Sequence, residues 1–401
     1  MIINNLPVEF LNALPVLQAL EAEGFEAYFV GGSVRDVLLN KPIHDVDIAT
    51  SAYPEEVKKI FPKTIDVGIE HGTVLALVND GQYEITTFRT ESTYQDFRRP
   101  DQVTFVRSLD EDLKRRDFTI NAFAMNQTGE VVDLFDGMTD LENRVIRAVG
   151  VPIERFNEDA LRVMRGLRFA GQLGFSIEEQ TFKAIKEAAP LLEKISIERI
   201  QIEFSKLLLS KGRKSGIESF VKSEAYQYCP GLKERSADLE KLIQLPEVAF
   251  QQEKQAWLFL VYSLGLSKSE VKPWLKQWKL SNNLIKSVQN LLVGLLYREA
   301  ASWSNEMLYQ IGLDDALLIE ESLMYLNQEY DVNSVVELYK NLPIKSIQDL
   351  DVDGQYLIQA LKKPAGPWVG KNLSAIQREV LIGQLKNDKD SIVEFIINHN
   401  Q

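Results

Sequence analysis

At 401 residues the chain provides for roughly two to four domains, and its formal charge of -13 excludes nucleic-acid binding over the whole surface while leaving room for a local basic groove. Its single cysteine, Cys229, excludes an intrachain disulfide and a cysteine-based metal cluster, which fits a reducing compartment. The N-terminal apolar residues include Glu9 and follow no basic region, so they read as an amphipathic helix rather than a signal peptide, and the longest apolar run, 256–266, is too short to cross a bilayer; a cytoplasmic protein is expected.

Tyr28-Phe29-Val30 reads as a strand running into Gly31-Gly32, followed by a short helix over 34–39 and a strand over 45–49. In that strand Asp45 and Asp47 point one way, while Val46 and Ile48 point into a core. Residues 73–78 and 83–88, joined by Asn79-Asp80-Gly81, predict a hairpin. Further strands are expected at 103–106, 131–134 and 145–149. After Pro152 the periodicity turns helical, which marks a domain boundary. Ile285, Val288, Leu291, Leu292 and Leu295 continue a stripe that starts at Leu284 behind a Ser281 cap. Pro230-Gly231, Pro246 and Pro343 punctuate this all-helical half.

A strand that enters Gly-Gly and then a helix directs backbone N–H groups outward, where Gly32 admits a phosphate, Ser33 adds a hydroxyl and Arg35 a charge. Alone, the pattern is more often an ordinary tight turn. Asp45 and Asp47 alone could be a solvent-facing strand end. Directly downstream of the glycines, the pair instead asks for a hard divalent cation and points to metal-assisted phosphoryl or nucleotidyl transfer. Glu84, on a neighbouring strand, is a candidate third carboxylate, as metal support or as a base for the attacking hydroxyl; an exposed hairpin glutamate is the plainer description. Positive charge is concentrated over 98–116 and 155–168, where a polyanion would be met.

Together these residues resemble the nucleotidyltransferase superfamily that includes DNA polymerase beta. Residues 31–39 with Asp45-Val46-Asp47-Ile48-Ala49-Thr50 look like the first signature of the CCA-adding enzymes, tRNA nucleotidyltransferases. Arg115-Arg116-Asp117-Phe118-Thr119-Ile120-Asn121-Ala122 looks like their second, and residues 133–141 are similar to the family's flexible segment between head and neck. Glu158-Asp159-Ala160-Leu161-Arg162 is similar to the nucleotide-selecting motif and Ser196-Ile197-Glu198-Arg199-Ile200 to the last one. The motifs stand in family order over residues 22–210.

The resemblance implies an α+β fold: a nucleotidyltransferase head over 1–150 with a small mixed or antiparallel sheet, then a helical neck over 151–212, body over 213–310 and tail over 311–401. It implies template-independent addition of C, C and A to the 3' end of tRNA from CTP and ATP, with Mg²⁺ on Asp45 and Asp47. It places Arg116 near triphosphate and Asp117 near the sugar, against a plainer reading as a charged helix start. Glu158, Asp159, Arg162, Arg165 and Arg168 are its nucleotide-binding candidates. Arg89 is a weaker phosphate or loop anchor, and Tyr94, Phe97, Arg98 and Arg99 fall in the loop that switches C to A addition. The tRNA acceptor arm, CTP and ATP are the implied partners, with no membrane; a homodimer is compatible with the sequence.

Asp159 and Arg162 lie three apart on a predicted helix and so share a face. Aspartate only accepts hydrogen bonds and arginine only donates them. Cytosine and adenine each present an amino donor beside a ring-nitrogen acceptor, whereas guanine and uracil present a carbonyl beside a ring N–H. One Asp/Arg pair thus fits C and A and opposes G and U, at roughly 1–3 kcal/mol for each mismatched buried group, without a template. The bland alternative is a surface ion pair of little energetic consequence. A bacterial poly(A) polymerase shares the first two motifs, but its basic C-terminal extension has no counterpart in residues 395–401. A CC-only or A-only relative, and a silent RNA-binding one, are further alternatives. A phosphohydrolase built on His44-Asp45 would need more histidines than His44, His71 and His399.

Overall fold

In the computed structural model the described residues are 1–68, 71–91 and 103–399. The head opens with α1 (Val8–Ala22), β1 (Ala27–Val30), α2 (Gly32–Leu38), β2 (Asp47–Thr50) and α3 (Pro54–Ile60). Next come β3 (Thr64–Gly68), β4 (Thr73–Val78), β5 (Gly81–Thr87), β6 (Arg89–Glu91), β7 (Val103–Phe105) and α4 (Leu109–Lys114). β8 (Phe123–Met125) and β9 (Val131–Asp133) complete a seven-stranded sheet in the order β3-β4-β5-β2-β1-β8-β9. β2 and β5 run parallel and the other neighbours antiparallel, so the sheet is mixed, as expected of an α+β head. β6 and β7 form a separate antiparallel pair.

The predicted hairpin is β4–β5, closed between Val78 and Gly81. Asn79 and Asp80 have φ of 48° and 64°, the two left-handed residues of a turn whose twist matches the strands. α1 buries Phe10, Ala13, Val16, Leu17 and Leu20, and the Phe10 ring lies 4.7 Å from that of Phe29 in β1. Val30, Ala49, Phe88 and Ala124 pack with Leu109 and Leu113 of α4. Every residue of β8 is buried, so its short apolar run carries no alternation to read. In β3 the apolar Ile65 and Val67 are exposed, which hides that strand in the opposite way.

α5 (Gly137–Glu142) and β10 (Val145–Ile146) lead to α6 (Pro152–Glu158) and α7 (Leu161–Leu173). β11 (Ser176–Ile177) follows, then α8 (Glu179–Ala188) and α9 (Ile197–Leu208). β10 and β11 pair in parallel, so a two-residue strand interrupts the expected all-helical stretch. The chain divides into two compact units, Met1–Ile243 with Gln277–Lys279, and Gln244–Lys276 with Leu280–Gln401. The second is helical. Ser281 accepts from the Leu284 N–H and starts the helix Asn282–Ala300, whose buried Ile285, Val288, Leu291, Leu292 and Leu295 are the predicted stripe. Among the described residues no helix is long and apolar enough to cross a membrane.

Candidate active site

Val30 pairs with Asp47 across the antiparallel β1–β2 ladder, which sets the carboxylate beside the turn that begins at Gly31. Gly31 has φ 70° and ψ -131°, a conformation open essentially to glycine, and a Cβ there would lie 3.1 Å from Arg116 Nη1. Ile48 pairs with Ile85 in β5 and both are buried, so Asp47 and Glu84, one residue earlier on each parallel strand, share the opposite face. β2 begins at Asp47, not at residue 45. Asp45 reaches the site from the preceding loop, where Val46 is only half-buried, so the expected strand starts two residues late. Asp45, Asp47 and Glu84 line one cavity of about 490 Å³, and Asp47 and Glu84 also line a larger cleft of about 1010 Å³.

Burial raises the pKa of Asp47; Glu84 and Asp45 push it further up and Arg116 opposes them. This is an acidic surface short of positive charge. Among the described residues no three His, Cys, Asp or Glu side chains are grouped closely enough to hold a metal ion alone. Two carboxylates are nevertheless the protein share expected of an ion that takes its remaining ligands from water and substrate phosphate.

Gly32, Arg35, Arg116, Asp117, Asp159, Arg162, Arg165 and Arg168 all line the larger cleft. They come from α2, the segment after α4, the end of α6 and the first two turns of α7, which the fold brings to one opening in the first unit. Ser33, Asp45 and Glu158 are not among its lining residues. The Ser33 hydroxyl instead donates to the Val30 carbonyl at 3.1 Å. Arg35 donates to Asn121 Oδ1 at 2.6 Å, and Asn121 Nδ2 donates to Asp117 Oδ1 at 3.2 Å. Arg165 Nε meets the other Asp117 oxygen at 2.6 Å. Burial pushes the Asp117 carboxyl up, but Arg165, Arg162 and Asn121 outweigh it and hold the pKa at about 2. Arg168 is bound to Glu203 and Gln172 and lies 3.8 Å from the centre of the Phe169 ring, over which Arg35 also sits at 5.3 Å. Arg116 and Asp117 follow the end of α4 and do not start a helix.

The Asp159 and Arg162 pair is built differently from the expectation of one helix. Asp159 closes α6 in an extended conformation, φ -139°, and α7 begins only at Leu161. The cause is local: Asp159 Oδ1 accepts from the Leu161 N–H at 3.0 Å, so the side chain breaks one helix and supports the start of the next. Both Asp159 and Arg162 still face the cleft. Arg162 is fixed by Glu158 at 2.8 Å and by the carbonyls of Arg155 and Arg115 at 3.1 and 2.8 Å. Arg199 Nη2 grips Asp159 Oδ2 at 2.6 Å from α9.

Arg199, Asn121, Asp112, Glu203 and Phe169 are site residues that sequence reasoning gave no role. Arg199 and Asn121 stand inside quoted motifs, which is signal enough to single them out; Asp112 is one of three successive acids, marked only by its spacing of three and four residues from Arg115 and Arg116. Arg89 lines the cleft and donates to the His71 carbonyl. Tyr94, Phe97, Arg98 and Arg99 lie outside the described residues.

Residues 27–147 match the family described as Poly A polymerase head domain. Residues 174–235 match that of a probable RNA and SrmB-binding site of polymerase A, and 248–396 that of tRNA nucleotidyltransferase domain 2. The CCA-adding enzyme of Enterococcus faecalis is 56% identical over 393 residues, covering 98% of this chain and 97% of that protein. That of Streptococcus suis is 49% identical over 396 residues, 98% of each. The crystal structure of Bacillus stearothermophilus CCA-adding enzyme in complex with CTP superposes with a TM-score of 0.92 at 40% identity, covering 98% of both chains.

Proposed function

The chain belongs to the CCA-adding enzymes, and from that premise we propose that the cleft between the Gly31-Gly32 turn and the start of α7 is where it adds C, C and A to the 3' end of tRNA. CTP and ATP are the donors, no template is used, and pyrophosphate is released. The observation that carries the assignment is the β1–β2 register, which sets Asp47 beside the glycine turn in the same cleft as Asp159 and Arg162.

The glycine turn, Arg35 and Arg116 receive the triphosphate, and Arg165 and Arg168 add positive charge along the same wall. Asp117 accepts from the ribose 2'-hydroxyl. The RNA 3'-oxygen bonds to the α-phosphorus as the bond to the β-phosphate oxygen breaks. Glu84 accepts the hydroxyl proton or supports the carboxylate pair beside it. Asp45 and Asp47 would hold a hard divalent ion such as Mg²⁺, which would lower the hydroxyl pKa and neutralise the leaving group. Asp159, set by Arg199, and Arg162, set by Glu158, read the amino donor and ring-nitrogen acceptor that C and A share.

We assign the head to 1–150, the neck to 151–212, the body to 213–310 and the tail to 311–401, with the helical parts gripping the acceptor arm by phosphate contacts. The setting is the cytoplasm. The test is nucleotide choice on a tRNA trimmed of its last three residues. Asp159→Ala and Arg162→Ala are expected to admit UTP and GTP while metal dependence stays as in the parent protein. Unchanged selectivity in both variants contradicts the assignment.

A further inference from the structure

Asp112 is one of three consecutive acids in α4, and the only one turned inward: Asp110 and Glu111 are exposed, while Asp112 retains 1% of its surface. Its Oδ1 accepts from Arg115 Nε at 3.0 Å and Nη2 at 2.8 Å, and its Oδ2 from Arg116 Nη2 at 3.0 Å. A short acidic side chain placed three and four residues before two consecutive arginines can gather both.

Each captured arginine leads to a different part of the site. Arg116 donates through Nη1 to the Asn121 carbonyl at 3.3 Å and lies against the Gly31 turn, where the triphosphate is placed. Arg115 offers its own backbone carbonyl to Arg162 Nη2 at 2.8 Å, so fixing its side chain also fixes the acceptor that orients the base-selecting guanidinium.

We propose that Asp112 is a positioning residue that couples phosphate binding to base selection, holding Arg116 at the glycine turn and, through the Arg115 peptide, Arg162 at the base. The inference rests on the roles assigned above to Arg116 and Arg162. It assigns to one buried carboxylate two properties that the site otherwise divides between separate residues. Without the carboxylate, two guanidinium groups lose their shared counter-charge in a cleft where other arginines crowd them.

Full-length Asp112→Asn, Arg116→Ala and Glu158→Gln are compared by steady-state incorporation of CMP, AMP and UMP on trimmed tRNA, with thermal unfolding as a control for folding. Arg116→Ala is expected to raise KM for CTP and ATP with little change in selectivity, and Glu158→Gln to raise UMP misincorporation with little change in KM. Asp112→Asn is expected to do both, each by roughly tenfold, the scale of one charge-assisted hydrogen bond. Asp112→Glu, which keeps the charge and displaces it by one methylene, is expected to fall between parent and Asp112→Asn in both respects. A merely structural role lowers the folded fraction and leaves KM and selectivity of the folded enzyme alone.

If Asp112→Asn does not fold, Asp112→Glu carries the comparison, and both properties must move together. A folded variant in which neither moves, or only one, overturns the coupling. If Arg116→Ala leaves KM unchanged, the phosphate role of Arg116 fails and the coupling with it. If Arg116→Ala raises KM and the Asp112 variants do not, the coupling alone fails.

Discussion

Val30 and Asp47 occupy one rung of the β1–β2 ladder, so the residue before the glycine turn and the carboxylate proposed for the reaction centre cannot move independently. Gly31 follows that rung at φ 70° with Arg116 Nη1 3.1 Å from where a Cβ would stand. Gly31→Ala therefore combines backbone strain with displacement of Arg116, the proposed phosphate ligand. It is expected to destabilise the protein by about 1–3 kcal/mol, read from denaturant unfolding, and to raise KM for both nucleotides.

Arg199 and Asp159 form an ion pair at 2.6 Å on the cleft wall, and Asp159 Oδ1 also accepts from the Leu161 N–H. Removing the guanidinium leaves the aspartate freer to swing from the position proposed for reading a base. Arg199→Ala is expected to increase misincorporation of UMP and GMP several-fold, with the metal concentration for half-maximal activity unchanged. Competition assays with mixed nucleotides measure both.

Asp117 carries a pH signature. Its folded pKa of about 2 lies below the ordinary 3.8, because Arg165, Arg162 and Asn121 outweigh the burial that alone would raise it. A depressed carboxyl pKa stabilises the fold above the unfolded value and loses that contribution as pH falls through the folded one. The pH-dependent part amounts to about 2 kcal/mol, complete above about pH 5 and lost progressively down to about pH 1. The stability gap between parent and Asp117→Asn, from urea unfolding, is expected to narrow across that window and stay constant above it.

Phosphate contacts to the acceptor arm release counter-ions, so the logarithm of tRNA affinity is expected to fall linearly with that of salt concentration. Filter binding across a salt series gives the slope. Replacing Arg116 is expected to leave this slope unchanged, since the partner proposed for it is the nucleotide triphosphate and not the RNA backbone.

What could be read in advance depended on whether a residue's role shows in its neighbours along the chain. The Gly31-Gly32 turn, the hairpin at Asn79-Asp80 and the Ser281 cap are local events, and the sequence pattern identifies each. The break at Asp159 is local too, but it competes with a strong helical pattern on both sides, and a single side-chain bond to the Leu161 N–H decides it. Glu203 is hidden for another reason: its partner Arg168 lies 35 residues away and is presented by folding. Asp112 stands three and four residues before its partners, a spacing the sequence does show, but that spacing does not tell a buried carboxylate from a solvated one.

Asp47→Ala bears most directly on the reaction itself. With tRNA trimmed of its last three residues, CTP, ATP and Mg²⁺, the parent protein is expected to give a product longer by C, C and A, and purified Asp47→Ala, folded by circular dichroism, no extension at all. Extension by Asp47→Ala at the parental rate would contradict the placement of the reaction beside the Gly31 turn.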